Sequence, residues 1–116
     1  MIPLLVDECY AFDYLSILEV KLKYKKNKES EDMLNFYKND LRKKIKLFDK
    51  IIESNEYKVL LEANSETFDA VDKAKNNLVT AKHVDDCNYK RYIAKKDLQE
   101  KFFSNSKQVE TKLGYE

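Results

Sequence analysis

The sequence predicts an all-α protein, an antiparallel helical hairpin packed on one long C-terminal helix, forming a helical bundle completed by dimerisation. Three observations carry that expectation. The 116 residues include one Gly and one Pro, and strands joined by tight turns need far more turn formers than that. Apolar residues recur at spacings of three and four along most of the chain, the period of an amphipathic helix. The stretch 65–105 contains neither Gly nor Pro and reads as one continuous rod. A chain of this length, 43% apolar, fits one domain with a core that needs no cofactor or staple.

Helix 1 is expected over about 3–27. Pro3 suits the first turn, where its missing N–H costs nothing, and Asp7 and Glu8 follow near the positive end of the helix dipole. Leu4, Ala11, Leu15, Leu18 and Leu22 form one stripe, which Tyr10, Tyr14, Ile17 and Tyr24 widen into a largely buried face. The helix is expected to end in Lys25, Lys26, Asn27 and Lys28, with cations at the negative end and Asn27 as a stop. Helix 2 is expected over about 30–54, capped by Ser30 and periodic through Leu34, Tyr37, Leu41, Ile45, Phe48 and Ile52. With so short a connection the two helices form an antiparallel hairpin. A short helix over about 56–63 is expected after a cap at Ser54-Asn55, and Asn64-Ser65 is read as a second cap.

The long helix is then expected over about 65–104. Its stripe runs Phe68, Val71, Ala74, Leu78, Ala81, Val84, Cys87, Arg91, Ala94, Leu98 and Phe102. A kink near 85–88 is the alternative to a straight rod, because Asp85, Asp86 and Asn88 are weak helix formers. A straight rod would span about 58 Å, against about 36 Å for helices 1 and 2. The overhang would carry Tyr89, Tyr92, Ile93, Phe102 and Phe103, which are the expected contacts of a homodimer. Val109 to Leu113 is too short to stand as a helix alone.

Charge is blocked along the chain although it sums to +1. Residues 1–20 carry four acids and no base, 21–50 are net +6, 51–72 are net −5 and 73–116 are net +4. Most such blocks are solvated helix faces, and the alternative is an electrostatic partner surface. The basic face of helix 2, Lys38, Arg42, Lys43, Lys46 and Lys50 with Phe36 and Tyr37 nearby, makes nucleic-acid association one alternative function. Flanking acidic blocks count against it.

The first twenty residues hold four acids and no basic leader, so neither a signal peptide nor a membrane span is expected. That points to the cytoplasm, and to Cys9 and Cys87 as reduced packing residues. A disulfide between them stays open, since antiparallel helices could bring them together.

Catalytic chemistry finds little to work with. His83 is the only histidine, and beside Lys82 it reads as a surface residue. Two distant cysteines and one histidine do not make a zinc site. No E-x-x-H pair signals a di-iron bundle. Gly114, alone near the end, cannot build a phosphate loop or a nucleophile elbow. Glu53-x-x-Glu56 and Glu66-x-x-Asp69 have the spacing with which all-α nucleotide pyrophosphohydrolases hold magnesium. That enzyme is the other alternative, although Glu53 and Glu56 straddle a predicted helix break. No cofactor is called for, and the leading expectation is a small interaction or adaptor module.

Ala11 to Lys26, AFDYLSILEVKLKYKK, and Asn88 to Tyr115, NYKRYIAKKDLQEKFFSNSKQVETKLGY, resemble a family of short helical proteins of unknown function from marine bacteria and their phages. The matching positions are Asp13, Leu15 to Lys21, Asn88, Arg91, Lys95, Glu110, Lys112 and Tyr115. The family's Gly before the opening Asp is replaced here by Ala11-Phe12, and its tryptophan-containing middle has no counterpart. The resemblance implies a helical fold and no activity. It directs attention to a polar constellation of Asp13, Glu19, Asn88, Arg91 and Lys95, in which carboxylates of helix 1 face the Arg91 guanidinium. Such a pair either fixes helix register or forms a pocket for a small anion or partner peptide.

Overall fold

The computed structural model describes residues 2 and 5–104. Pro3, Leu4, the segment 109–113, Gly114 and the family-like positions Glu110, Lys112 and Tyr115 lie outside the described residues. Within them the chain is all-helical, with α1 Glu8–Tyr24, α2 Lys28–Lys44, α3 Phe48–Ile52, α4 Asn55–Lys75 and α5 Ala81–Phe102.

The hairpin of α1 and α2 is as expected, with one change at its turn. Asn27 does not close α1; its Oδ1 accepts from the Ser30 N–H at 2.8 Å, so Asn27 and not Ser30 caps α2, and Ser30 lies in its first turn. Helix 2 is shorter than expected because it stops at Lys44, and Ile45 takes an extended backbone. The periodicity of Ile45, Phe48 and Ile52 continues in sequence, but a straight helix would carry them past the end of the core. The break at 45–47 swings Phe48 and Ile51 inward, where they are 1% and 0% exposed. Arg42 spans the break, its Nε 3.1 Å from Asp49 Oδ1 and its guanidinium over the Phe48 ring.

The expected long rod over 65–104 is two helices, and the short helix expected over 56–63 is the beginning of the first. Ser54 caps α4 by accepting from the Tyr57 N–H at 3.1 Å. From there the helix runs unbroken through Asn64-Ser65 to Lys75. It ends in a turn where Leu78 N–H bonds Lys73 O and Asn77 N–H bonds Ala74 O. This is a Schellman closure, which needs a left-handed residue; Asn77 supplies it at φ 59°. Thr80 Oγ1 then accepts from the His83 N–H and starts α5. The break therefore lies at 76–80, and the region 85–88 is regular helix.

This turn sends α5 back along α4. Glu66 pairs with Lys90, and Glu56 pairs with Lys101 ten residues earlier on α4 and eleven later on α5, so the two helices are antiparallel. Asp13 meets Arg91 and Cys9 meets Gln99, which makes α1 antiparallel to α5 as well. Phe12, fully buried, is the hub of the core, with Phe48 at 6.0 Å and Tyr57 and Phe103 each at 6.4 Å between ring centroids. Leu15, Leu41, Ile51, Leu60 and Leu98 complete it.

The overhang that motivated dimer contacts is absent among the described residues. Tyr92 is buried and Phe102 and Phe103 pack on the core, while Tyr89 stays 47% exposed. A left-handed non-glycine residue costs about 1 kcal/mol, least for Asn. Asn77→Gly is therefore expected to hold or raise the thermal midpoint, and Asn77→Val to lower stability by about 1–2 kcal/mol. Equal midpoints for the two variants would remove this turn as a determinant of the α4/α5 hairpin.

Candidate functional site

Asp13 faces inward from the middle of α1 and is 4% exposed. A carboxylate in that position is costly unless charge and hydrogen bonds compensate it. Arg91, at the middle of α5, supplies both. Its Nε lies 3.2 Å from Asp13 Oδ1 and its Nη2 2.7 Å from Oδ2, a bidentate pair. Asn64 of α4 donates through Nδ2 to Asp13 Oδ1 at 2.9 Å and also to Ser16 Oγ. Ser16 in turn donates to the Asp13 carbonyl at 2.7 Å. Three helices thus meet in one polar cluster.

The other members of the expected constellation go elsewhere. Glu19 does not face Arg91; its Oε2 accepts from the Tyr57 hydroxyl at 2.7 Å. Six residues beyond Asp13 on α1, it points to another side of the helix. Burial, reinforced by that carboxylate, pushes the Tyr57 phenol well above its ordinary range, so it remains a protonated donor. Lys95 lies one turn beyond Arg91, buried, with Nζ 4.5 Å from the centroid of the Tyr10 ring. Asn88 is half-buried and forms no hydrogen bond to the cluster.

Two residues that matter here carried no signal in the sequence. By sequence Asn64 fits a cap, and Gln99 has the context of any polar residue near a helix end. Gln99 is 1% exposed. Its Oε1 accepts from the Cys9 N–H at 2.9 Å and its Nε2 donates to Glu8 Oε1 at 3.0 Å. Asp7 precedes α1 without a side-chain capping bond, so an amide from the far end of the sequence satisfies one of the helix's orphan N–H groups.

The carboxylates of the magnesium alternative do not converge. Glu56 pairs with Lys101, Glu66 with Lys90 and Asp69 with Lys73, and Glu53 is exposed at the end of α3. Among the described residues no group of three or more His, Cys, Asp or Glu is placed to hold a metal ion. His83 Nε2 does lie 3.8 Å from Cys87 Sγ. Yet burial first, then Glu66 and other acids, push the Cys87 thiol up, the opposite of what a nucleophile needs. Both cysteines are buried and free. The basic face expected on helix 2 is divided, since α2 ends before Lys46 and Lys50, and Arg42 and Lys44 pair with Asp49 and Asp40.

Beside the cluster an open groove of about 250 Å³ runs between α1 and α4, with Arg91 and Asn64 among its lining residues. Its walls are apolar, from Ile17 and Val20 on α1 and Phe68 and Val71 on α4. Tyr24 stacks on Phe68 at 4.7 Å, and both rings stay partly exposed. No family model matches the chain, and neither a curated protein nor a solved structure matches it. Of the family-like positions named above, Asp13 and Arg91 meet in space. Among the described residues no helix is long and apolar enough to cross a membrane.

Removing Arg91 strands a buried carboxylate, so Arg91→Met is expected to cost about 3–5 kcal/mol in denaturant unfolding, with most of it recovered in Asp13→Leu/Arg91→Met. An unchanged midpoint for the single variant would show that the pair does not hold the helices. The raised Tyr57 phenol gives a second expectation. A folded value above the unfolded one, about 10, contributes stability that is complete below that pH and declines as pH rises through the folded value. Alkaline titration above about pH 10 should therefore destabilise the natural chain more steeply than Tyr57→Phe. Parallel curves would refute the assignment.

Proposed function

We propose that this chain is a helical interaction module, an adaptor of the cytoplasm that binds a protein partner and catalyses no reaction. The observation that supports this reading is the division of labour between its polar and apolar groups. Asp13, Asn64, Arg91, Tyr57 and Gln99 spend their hydrogen bonds on other helices of the same chain. Phe68 and Val71, by contrast, line one groove while 39% and 38% exposed, and Tyr24, 49% exposed, stacks on Phe68 at its edge. An apolar groove on a rigid helical frame is a surface for side chains of a partner. Of the aromatics expected at a dimer contact, Tyr92, Phe102 and Phe103 are covered within the chain and Tyr89 stays exposed.

Photo-crosslinking in cells tests this reading. A benzophenone amino acid at Val71 is expected to give discrete protein adducts that the same probe at Asp32, on the exposed side of α2, does not. The purified chain is expected to release no phosphate or pyrophosphate from nucleoside triphosphates with magnesium. Magnesium-dependent release that disappears in Glu53→Gln, or identical labelling at Val71 and Asp32, would overturn the proposal.

A further inference from the structure

A second groove lies between the outer sides of α4 and α5. On α4 it is lined by Val59, Glu62, Ala63 and Glu66, beside the stripe of Leu60, Asn64 and Thr67 that faces inward. It comprises two adjoining cavities of about 310 and 410 Å³ that share Val59, Ala94 and Asp97. Its floor is made of Ala63 and Ala94, buried side chains too small to fill it. Its apolar walls are Val59 and Tyr89, 44% and 47% exposed, together with Ile93. From Asn55 to Glu66 it follows α4 for about 16 Å, three helical turns.

The rim is net acidic. Glu56, Glu62, Glu66, Asp97 and Glu100 line the two cavities, against Lys90 and Lys101. Both lysines are already committed, Lys90 to Glu66 and Lys101 to Glu56. Glu62, Asp97 and Glu100 make no ion pair among the described residues. An apolar trough with three unneutralised carboxylates at its edges repels nucleic acid and selects a ligand with an apolar stripe flanked by cations. Two antiparallel helices with small residues between them accept a third helix in the groove. Helix α2 of a second copy is a poorer match, because its most exposed apolar residues, Phe36 and Met33, lie beside Glu29 and Asp32, unpaired among the described residues, and of the two cations farther along that face, Lys43 and Lys44, Lys44 is already paired with Asp40.

We infer that the α4/α5 trough receives a basic amphipathic helix of a partner protein, about three turns long. This goes beyond the interaction-module reading, since it names a second surface and the chemistry of what fits it. The probe is a fluorescein-labelled two-heptad Leu/Lys amphipathic peptide, with its Leu/Glu counterpart as control, titrated by anisotropy against the full chain. One-to-one saturable binding of the Leu/Lys peptide alone is expected, weaker at high salt. Glu62→Lys/Asp97→Lys, both at exposed positions, should weaken it at least about tenfold. Glu29→Lys/Asp32→Lys on α2 should leave it unchanged.

Equal weakening by the two double variants would reduce the effect to net charge and overturn the inference. Binding of the Leu/Glu peptide, or no binding at all, would do the same. So would a dimer in light scattering that Glu62→Lys/Asp97→Lys dissolves, since a second copy would then fill the trough. Failure of the peptide with Val71 adducts retained removes this inference alone. Loss of Val71 adducts with peptide binding retained removes only the reading of the α1/α4 groove.

Discussion

A single carboxylate, buried where three helices meet, sets the geometry of this protein. Taking a charged Asp13 out of water costs several kcal/mol, and only a close, well-oriented counter-charge with further hydrogen bonds repays it. Arg91 and Asn64 come from different helices, so their convergence on one carboxylate fixes the axial position and rotation of α4 and α5 relative to α1 together. A methylene core would tolerate small slips between helices. A bidentate guanidinium does not.

The same principle recurs along α1. Gln99 holds its first turn, Asp13 and Ser16 its middle, and Glu19 reaches Tyr57 farther on. The apolar side chains between these points, Phe12 and Leu15, are fully buried. Hydrophobic burial thus supplies most of the driving force, and the polar contacts select one arrangement among the many that burial alone would allow. Helix α1 is short, but the other elements are placed by what it presents.

The helical class, the α1/α2 hairpin and the Asp13–Arg91 pair were legible in the sequence because each rests on local chemistry or on an ion placed on an apolar stripe. The break at 76–80 was not, since Ala74, Leu78 and Ala81 preserve helical spacing across it. Leu78 ends 70% exposed, so its place in the stripe was coincidental. The usable signal was the pair Asn76-Asn77 followed by Thr80, a left-handed stop and a new cap. Asn64 and Gln99 were hidden for a different reason. An amide that completes a buried network has the same local sequence context as one that faces water, and only the partner across the fold distinguishes them.

Folding the supposed rod back on itself also redistributes the charge blocks. The basic block loses its continuous face when α2 stops at Lys44 and its cations find Asp40 and Asp49. The acidic block falls on α3 and α4, and the inner side of α4 is occupied by Leu60, Asn64 and Thr67. Its carboxylates therefore crowd the outer side, where α5 brings two lysines, too few to balance them and the acids α5 adds itself. Because Asp13 is neutralised internally by Arg91, it adds little to the external field. The field on this side of the molecule is set by α4 and α5, and its sign follows from a hairpin turn that hinges on Asn77.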